Sequence, residues 1–193
     1  MRLVLASTSA YRRELLGRLG VAFETAAPDV DEAAWKGRGL APREVARQLA
    51  RAKAEAVARV VGDGATVIGS DQVCALGSET FGKPGTAERA CEQLARLAGR
   101  THELLTAVCV VGPVRGVWEH TDTARLSMRA LDAASIARYV AADRPLDCAG
   151  SYKLEARGIA LFEKLECADH TAIVGLPLVA LTLELVRRGW VLP

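Results

Sequence analysis

The first 20 residues constrain this chain more than any other stretch, because they hold a strand, a turn and a helix in immediate succession. Leu3 to Ala6 is a short apolar run that ends in a Ser/Thr turn. Tyr11, Leu15 and Leu19 then recur every four residues, with Leu16 beside them, until Gly20 interrupts the pattern. The spacing predicts a helix with Ser9 as N-cap and Gly20 just past its end. It also puts Arg12 and Arg13 in the first helical turn, at the positive end of the helix dipole. A cation there costs roughly 0.3–1 kcal/mol, so the pair needs a reason.

Strand-like and helical segments continue to alternate. Val21 to Ala27 reads as extended and precedes the acidic "DVDE" at 29–32. Residues 35–42, "WKGRGLAP", are the most linker-like piece, a mobile loop rather than a domain boundary. Pro42 can stand at N1 of a long helix to about Val61. "ATVIGSD", 65–71, reads as a buried strand ending on an acid, and 73–82 as a short extended excursion ending in the turn "GKPG". Thr86 caps a helix that Gly99 ends, and Asp132 caps another to about Ala142. Residues 102–112 and 119–130 are strand-like, the second alternating as a half-exposed antiparallel strand does. Residues 148–166 mix loop and strand. Pro177 starts a last apolar helix, closed by Arg187, Arg188 and Gly189, with the cations now at the favourable end. The reading is an α/β fold in which a mixed sheet is flanked by helices.

With 193 residues, half of them hydrophobic, a large core is available, and residues 1–193 read as a single domain, with room for two lobes. The net charge of +2 argues against a nucleic-acid coat or a membrane-surface protein. No signal peptide and no run of 18 apolar residues is visible. Cys74, Cys91, Cys109, Cys148 and Cys167 are widely spaced, without a C-x-x-C, as reduced thiols of a cytoplasmic protein would be.

The polar residues that stand out admit two readings each. Arg12 and Arg13 are either solvated arginines or half of an anion site, since a helix start after a small-residue turn offers free N–H groups to phosphate. Lys53 lies at the border of the stripe Val45, Leu49, Ala52, Ala56 and Val60, where it either snorkels or points into a cleft. Asp71, at the carboxyl end of its strand, either turns the chain or stands where open α/β sheets bind ligands. Lys83, between Gly82 and Pro84, is a loop lysine or a phosphate clamp. Asp29, Asp31 and Glu32 are a solvated acidic loop or oxygen ligands suited to Mg²⁺ or Mn²⁺ with substrate phosphates. There is no Walker motif, HExxH or GxGxxG, the serines lack an elbow motif, and His102, His120 and His170 have no metal spacing. Together the cations, the acids and the helix start suit metal-assisted attack on a phosphoanhydride.

The segments "ASTSAYRRELL", "DE" at 31–32, "AKA" at 52–54, "GSDQV" at 69–73, "GKP" at 82–84, "AGSYKLEARG" at 149–158 and "VGLPL" at 174–178 resemble, in order, the motifs of the Maf family of nucleoside triphosphate pyrophosphatases. The resemblance implies an elongated, two-lobed, inosine-triphosphatase-like fold with a central cleft. It implies a divalent-cation-dependent cleavage of a nucleoside triphosphate between the α and β phosphates. Asp71 matches the catalytic proton acceptor. Ser9, Arg12, Arg13, Lys53 and Lys83 match triphosphate-binding positions, and Glu32, with Asp71, matches the metal-assisting acids. Tyr11, Gln72 and Glu155 match the positions that set base choice. Asp71-Gln72 and "SYKLEARG" look like the branch acting on 7-methyl-GTP rather than on dTTP and UTP, although many members of that branch carry Trp where this chain has Tyr11. A methylated guanine is cationic and is attracted to an aromatic face by about 0.5–2 kcal/mol. A buried Glu155 would accept from its N1–H and 2-amino group, yet would face a carbonyl oxygen of a pyrimidine. The rival expectations are a pyrimidine or broad-specificity pyrophosphatase, and a non-catalytic nucleotide sensor of cell division, a role with which the family is historically associated. The expected partner is a nucleoside triphosphate, with neither nucleic acid nor membrane, and a homodimer is left open.

Overall fold

The computed structural model describes residues 1–192, apart from the Lys36 side chain. The elements are β1 (Arg2–Ala6), α1 (Ala10–Gly17), β2 (Glu24–Ala26), α2 (Glu32–Lys36), α3 (Pro42–Val61), β3 (Ala65–Leu76) and β4 (Glu79–Phe81) in the first part. They continue as α4 (Ala87–Leu97), β5 (Thr101–Gly112), β6 (Gly116–Met128), α5 (Ala133–Asp143), a 3-10 turn (Arg157–Leu161), β7 (Phe162–Glu166), α6 (His170–Val174) and α7 (Leu178–Arg187). The strands form one mixed sheet in the order β2-β1-β3-β5-β6-β7, with β4 paired to β3. β1 runs parallel to β2 and β3, whereas the β3–β4 and β6–β7 pairs are antiparallel.

The helix starts follow from their caps. Ser9, Thr86 and Asp132 each accept a hydrogen bond from a backbone N–H three residues on. Such caps satisfy donors that a helix end otherwise leaves bare. Gly20 sits just beyond α1 with φ +69°, as a terminating glycine does.

The chain divides into two compact units. The first comprises residues 1–72, 106–122 and 169–193, and the second 73–105 and 123–168. β3, β5 and β6 each continue from one unit into the other. In the first unit, Leu3 and Leu5 of β1, Ile68 of β3 and Val108 and Val110 of β5 bury against Leu15 and Leu16 of α1 and Leu178, Leu181 and Leu185 of α7. Alternation along each strand puts these residues on one face of the sheet. The second unit buries Ala90, Leu94 and Leu97 of α4 and Ile136, Tyr139 and Val140 of α5. It also encloses His102, whose Nε2 lies 2.8 Å from the Tyr152 hydroxyl, while Tyr152 meets the Phe162 ring edge-on.

Several elements differ from the sequence expectations. The buried face of α3 is Val45, Ala46, Leu49, Ala50, Lys53, Ala54 and Val57, while Val60 is exposed. Lys53 is therefore in the middle of the buried stripe, not on its border. β3 does not stop at Asp71 but runs on to Leu76, so that Asp71 is a mid-strand residue. The linker-like stretch begins inside a short helix, α2, which Asp31 caps through the Ala34 N–H. Arg188 stands at the end of α7, as the sequence predicts, but its side chain turns inward. It is buried, donates to Glu184, and reaches the carbonyls of Val110 and Gly116 as well.

Burial pulls the His102 imidazole down to about 4 from its ordinary 6.5. Between those pH values the unfolded chain binds the proton and the folded one does not. The stability contribution is thus complete above about pH 6.5 and is lost as pH falls towards 4, by up to about 3 kcal/mol. Urea unfolding between pH 7 and 4 should show this slope, and a His102→Gln variant should flatten it. The contribution of the Glu44 carboxyl, held down to about 2 by Arg47 and Gln48, is complete above about pH 4.5 and is lost only as pH falls further towards 2.

Candidate active site

Lys53 is the centre of the polar cluster. Its Nζ lies 2.6 Å from Asp71 Oδ1 and 2.6 Å from Glu32 Oε1. Lys53 and Asp71 are both buried, while the Glu32 side chain is 44% exposed, so the cluster reaches solvent through Glu32. Three elements converge there: α3 brings the ammonium, β3 the first carboxylate, and the first turn of α2 the second. Asp71 Oδ2 is buried and has no hydrogen-bond partner among the described residues. A bare buried carboxylate oxygen costs on the order of 1–3 kcal/mol or more.

The approach of α3 to β3 depends on Gly69. A Cβ there would lie 2.2 Å from the Ala50 carbonyl oxygen and 2.6 Å from the Ala54 amide nitrogen. Ala50 and Ala54 are small and bracket Lys53 on the same helix face, so backbone meets backbone at the crossing. Gly69 and Asp71, two residues apart on β3, share the face that looks onto α3.

Arg12 completes the group. Its Nε donates to the Gly175 carbonyl at 3.0 Å. Burial lowers its pKa, and the negative charges of Asp71 and Glu32 work in the opposite direction. A guanidinium remains protonated regardless. Ser9 is committed to capping α1 through the Arg12 N–H. Arg13 is exposed, and Tyr11 is half-buried. These expected residues, Ser9 to Arg13 with Glu32, Lys53, Asp71 and Gln72, all belong to the first unit. Lys83 and Glu155 belong to the second, and both are exposed. Glu155 is thus not the buried acid of the sequence expectation, because it stands in the turn 154–156 just before the 3-10 helix, with its side chain exposed.

Gln72 is heavily engaged. Its Nε2 lies within 2.9–3.0 Å of Thr106 Oγ1 and the carbonyls of Ala172 and Ile173, which consume its donors. The α6 segment that it grips is pinned by Asp169. That buried carboxylate accepts from the Thr171 N–H and hydroxyl through Oδ1, and from the Val179 N–H through Oδ2. Asp169 therefore caps α6 and also holds the start of α7. Sequence reasoning missed Gly69, Ser70, Asp169 and Gly175 as site-building residues. The first two lay inside the "GSDQV" motif, but their faces could be read only once β3 was known to continue through it.

The sequence profile described as "Maf-like protein" matches residues 2–188 of this chain. The chain belongs to the Maf family. Curated relatives agree over the full length. A protein of Aromatoleum aromaticum is 52% identical over 196 residues, covering all of this chain and 98% of that one. One of Xanthomonas campestris pv. campestris is 49% identical over 192 residues, again covering 100% and 98%. One of Pseudomonas putida is 44% identical over 196 residues, covering 99% and 98%. Each of these three is named 7-methyl-GTP pyrophosphatase. Among solved structures the Staphylococcus aureus Ham1 protein is similar at 18% identity, with a TM-score of 0.48, over 66% of this chain and 72% of that one. Among the described residues no helix is long and apolar enough to cross a membrane.

If the α3–β3 approach sets this Maf site, Gly69→Ala should disrupt it. The clash is with backbone, which cannot rotate away, so a stability loss of about 3 kcal/mol or more is expected. Urea unfolding measures it, and an unchanged midpoint would remove Gly69 from the argument.

Proposed function

We propose that this Maf protein is a nucleoside triphosphate pyrophosphatase that converts 7-methyl-GTP to 7-methyl-GMP and pyrophosphate. The observation that carries the reading is the buried Lys53 held between two carboxylates, one of which keeps a bare oxygen. The full-length likeness to relatives of that name supports the substrate.

The chemistry follows from the charges. Asp71 Oδ1 is paired with Lys53, which fixes the orientation of the carboxylate. Oδ2 is then the atom that orients a water and takes its proton as the water attacks phosphorus. The leaving pyrophosphate gathers negative charge, and Arg12 and Lys53 neutralise it, with Arg13 and the capped start of α1 beside them. In-line displacement of this kind needs placement and charge stabilisation, with no covalent intermediate. Lys83 is assigned to the polyphosphate, and Tyr11 and Glu155 to the base, from the motifs that they occupy.

A divalent cation fits the residues present. Among the described residues no group of three or more His, Cys, Asp or Glu side chains is poised to hold a metal ion. Mg²⁺ and Mn²⁺ need less, since one or two carboxylates suffice when phosphates and water fill the remaining positions. The carboxylates of Glu32 and Asp71 are such a pair. A metal held there would polarise the phosphoryl oxygens.

Asp71→Asn should lower the rate of pyrophosphate release by roughly 10²–10⁴ in a chain that still folds, because Glu32 continues to pair the Lys53 ammonium. A fully active variant would refute the assignment. A panel of 7-methyl-GTP, GTP, UTP and dTTP, assayed for pyrophosphate, should rank 7-methyl-GTP first. Preference for UTP or dTTP would instead place the chain with the pyrimidine enzymes, and nucleotide binding without product would favour a sensor. Glu155→Gln should move selectivity towards the pyrimidines, because a neutral amide can donate to a carbonyl oxygen where a carboxylate cannot. An unmoved ratio would exclude Glu155 from base choice.

A further inference from the structure

β3 divides its residues between two sides. Gly69 and Asp71 face α3, while Ile68 joins the core on the other side, where Ser70 and Gln72 meet the segment around α6. Ser70 is wholly buried. Its hydroxyl lies 2.8 Å from the Ala107 carbonyl oxygen and 3.0 Å from that of Gly175. The Gly175 carbonyl is also the acceptor for Arg12 Nε, at 3.0 Å. One main-chain oxygen thus ties the strand that carries Asp71 to the guanidinium that lies in the field of Asp71. Gly175 has φ +132°, a conformation that side chains rarely adopt, so the direction of this carbonyl is a property of glycine at that position. The segment is held from both ends, by Asp169 and Thr171 before α7 and by Gln72 at the Ala172 and Ile173 carbonyls.

We propose that Ser70 is a positioning residue that acts through Arg12: by fixing the Gly175 carbonyl, it fixes the guanidinium for polyphosphate. With Nε spent on that carbonyl, the Nη fork of Arg12 is left for an anion, which is the geometry that bidentate recognition of phosphate uses. A free arginine would lose rotamer freedom on binding. One already held loses less, and the difference appears as affinity and as rate. Gln72 serves the same segment with its amide donors. The identity of the anion rests on the pyrophosphatase reading above.

The test is a double-mutant cycle on the full chain, with Ser70→Ala, Arg12→Ala and the double variant. Calorimetry with inorganic tripolyphosphate in Mg²⁺ buffer reads binding without turnover, and hydrolysis of 7-methyl-GTP reads kcat/KM. Ser70→Ala should weaken tripolyphosphate binding and lower kcat/KM by about three- to tenfold, the size of one lost hydrogen bond. The double variant should be no worse than Arg12→Ala alone, because the effect of Ser70 passes through that side chain. Additive losses would mean that Ser70 only supports the fold, and would overturn the proposal. So would a wild-type chain that does not bind tripolyphosphate. Ser70→Cys replaces the hydroxyl with a larger, weakly donating thiol and should give a loss between those of the wild type and Ser70→Ala, which covers the case of an unfolded alanine variant. Coupled binding losses in a chain that releases no pyrophosphate would leave the Arg12 seat standing while the catalytic reading falls. Normal hydrolysis without coupling would do the reverse.

Discussion

Everything at the site depends on how closely α3 can lie on β3. The absence of a side chain at Gly69 lets the helix backbone at Ala50 and Ala54 sit directly on the strand. A long residue on that helix face then has no route to solvent, and Lys53 is buried because the crossing is tight. An ammonium taken out of water loses several kcal/mol unless it is paired. Asp71, two residues along from Gly69 on the same strand face, supplies the pair at 2.6 Å. One missing methyl group thus leads to a buried cation, and the buried cation requires the carboxylate.

The opposite face of β3 is used differently. Ile68 belongs to the apolar core with α1 and α7, and beyond it Ser70 and Gln72 hydrogen-bond to main-chain carbonyls. Five consecutive residues, Ile68 to Gln72, therefore combine core packing, a close backbone crossing, a clamp on a loop and a buried carboxylate. Strand geometry makes this possible, since alternate side chains diverge while the backbone keeps them within a few ångströms of one another. Asp169 extends the clamp by holding α6 and the start of α7 with one carboxylate.

Local chemistry was legible in the sequence, and depth was not. Ser9, Thr86 and Asp132 were readable as caps because a cap is decided within three residues. Pro42 and Gly20 were readable because their backbone preferences are intrinsic. The stripe on α3 was misread because Ala52, Ala56 and Val60 repeat at helical spacing as well as Ala46, Ala50, Ala54 and Val57 do, and alanine does not say which side is buried. Asp71 looked like a strand end because a charged residue usually interrupts a buried strand, and only the lysine across the crossing lets the strand continue. The short helices α2 and α6 span five residues each, too few for a periodic signal. The Maf motifs pointed to Glu32, Lys53 and Asp71, which the fold brings together, but not to the work of Gln72 or to the exposure of Glu155, which belong to tertiary packing.

A bare acid oxygen alone does not separate function from structure in this chain. Glu184 Oε2, Asp143 Oδ2 and Glu119 Oε1 are also buried without a partner. The comparison with Glu184 is the instructive one. Its cation, Arg188, spends its remaining donors on the carbonyls of Val110 and Gly116, and both side chains are sealed from solvent. That pair ties α7 to β5 and to the turn before β6, and it offers nothing to a ligand. The Lys53 cluster has the opposite balance. One ammonium is shared by two carboxylates, one of them half-exposed, while among the described residues the Nη groups of Arg12 meet no carbonyl as those of Arg188 do. A buried ion pair is often replaceable by apolar residues without loss of stability. The proposed polyphosphate, with its counter-cation, therefore gives the Lys53 cluster and the Arg12 guanidinium a role that the stability of the fold does not require.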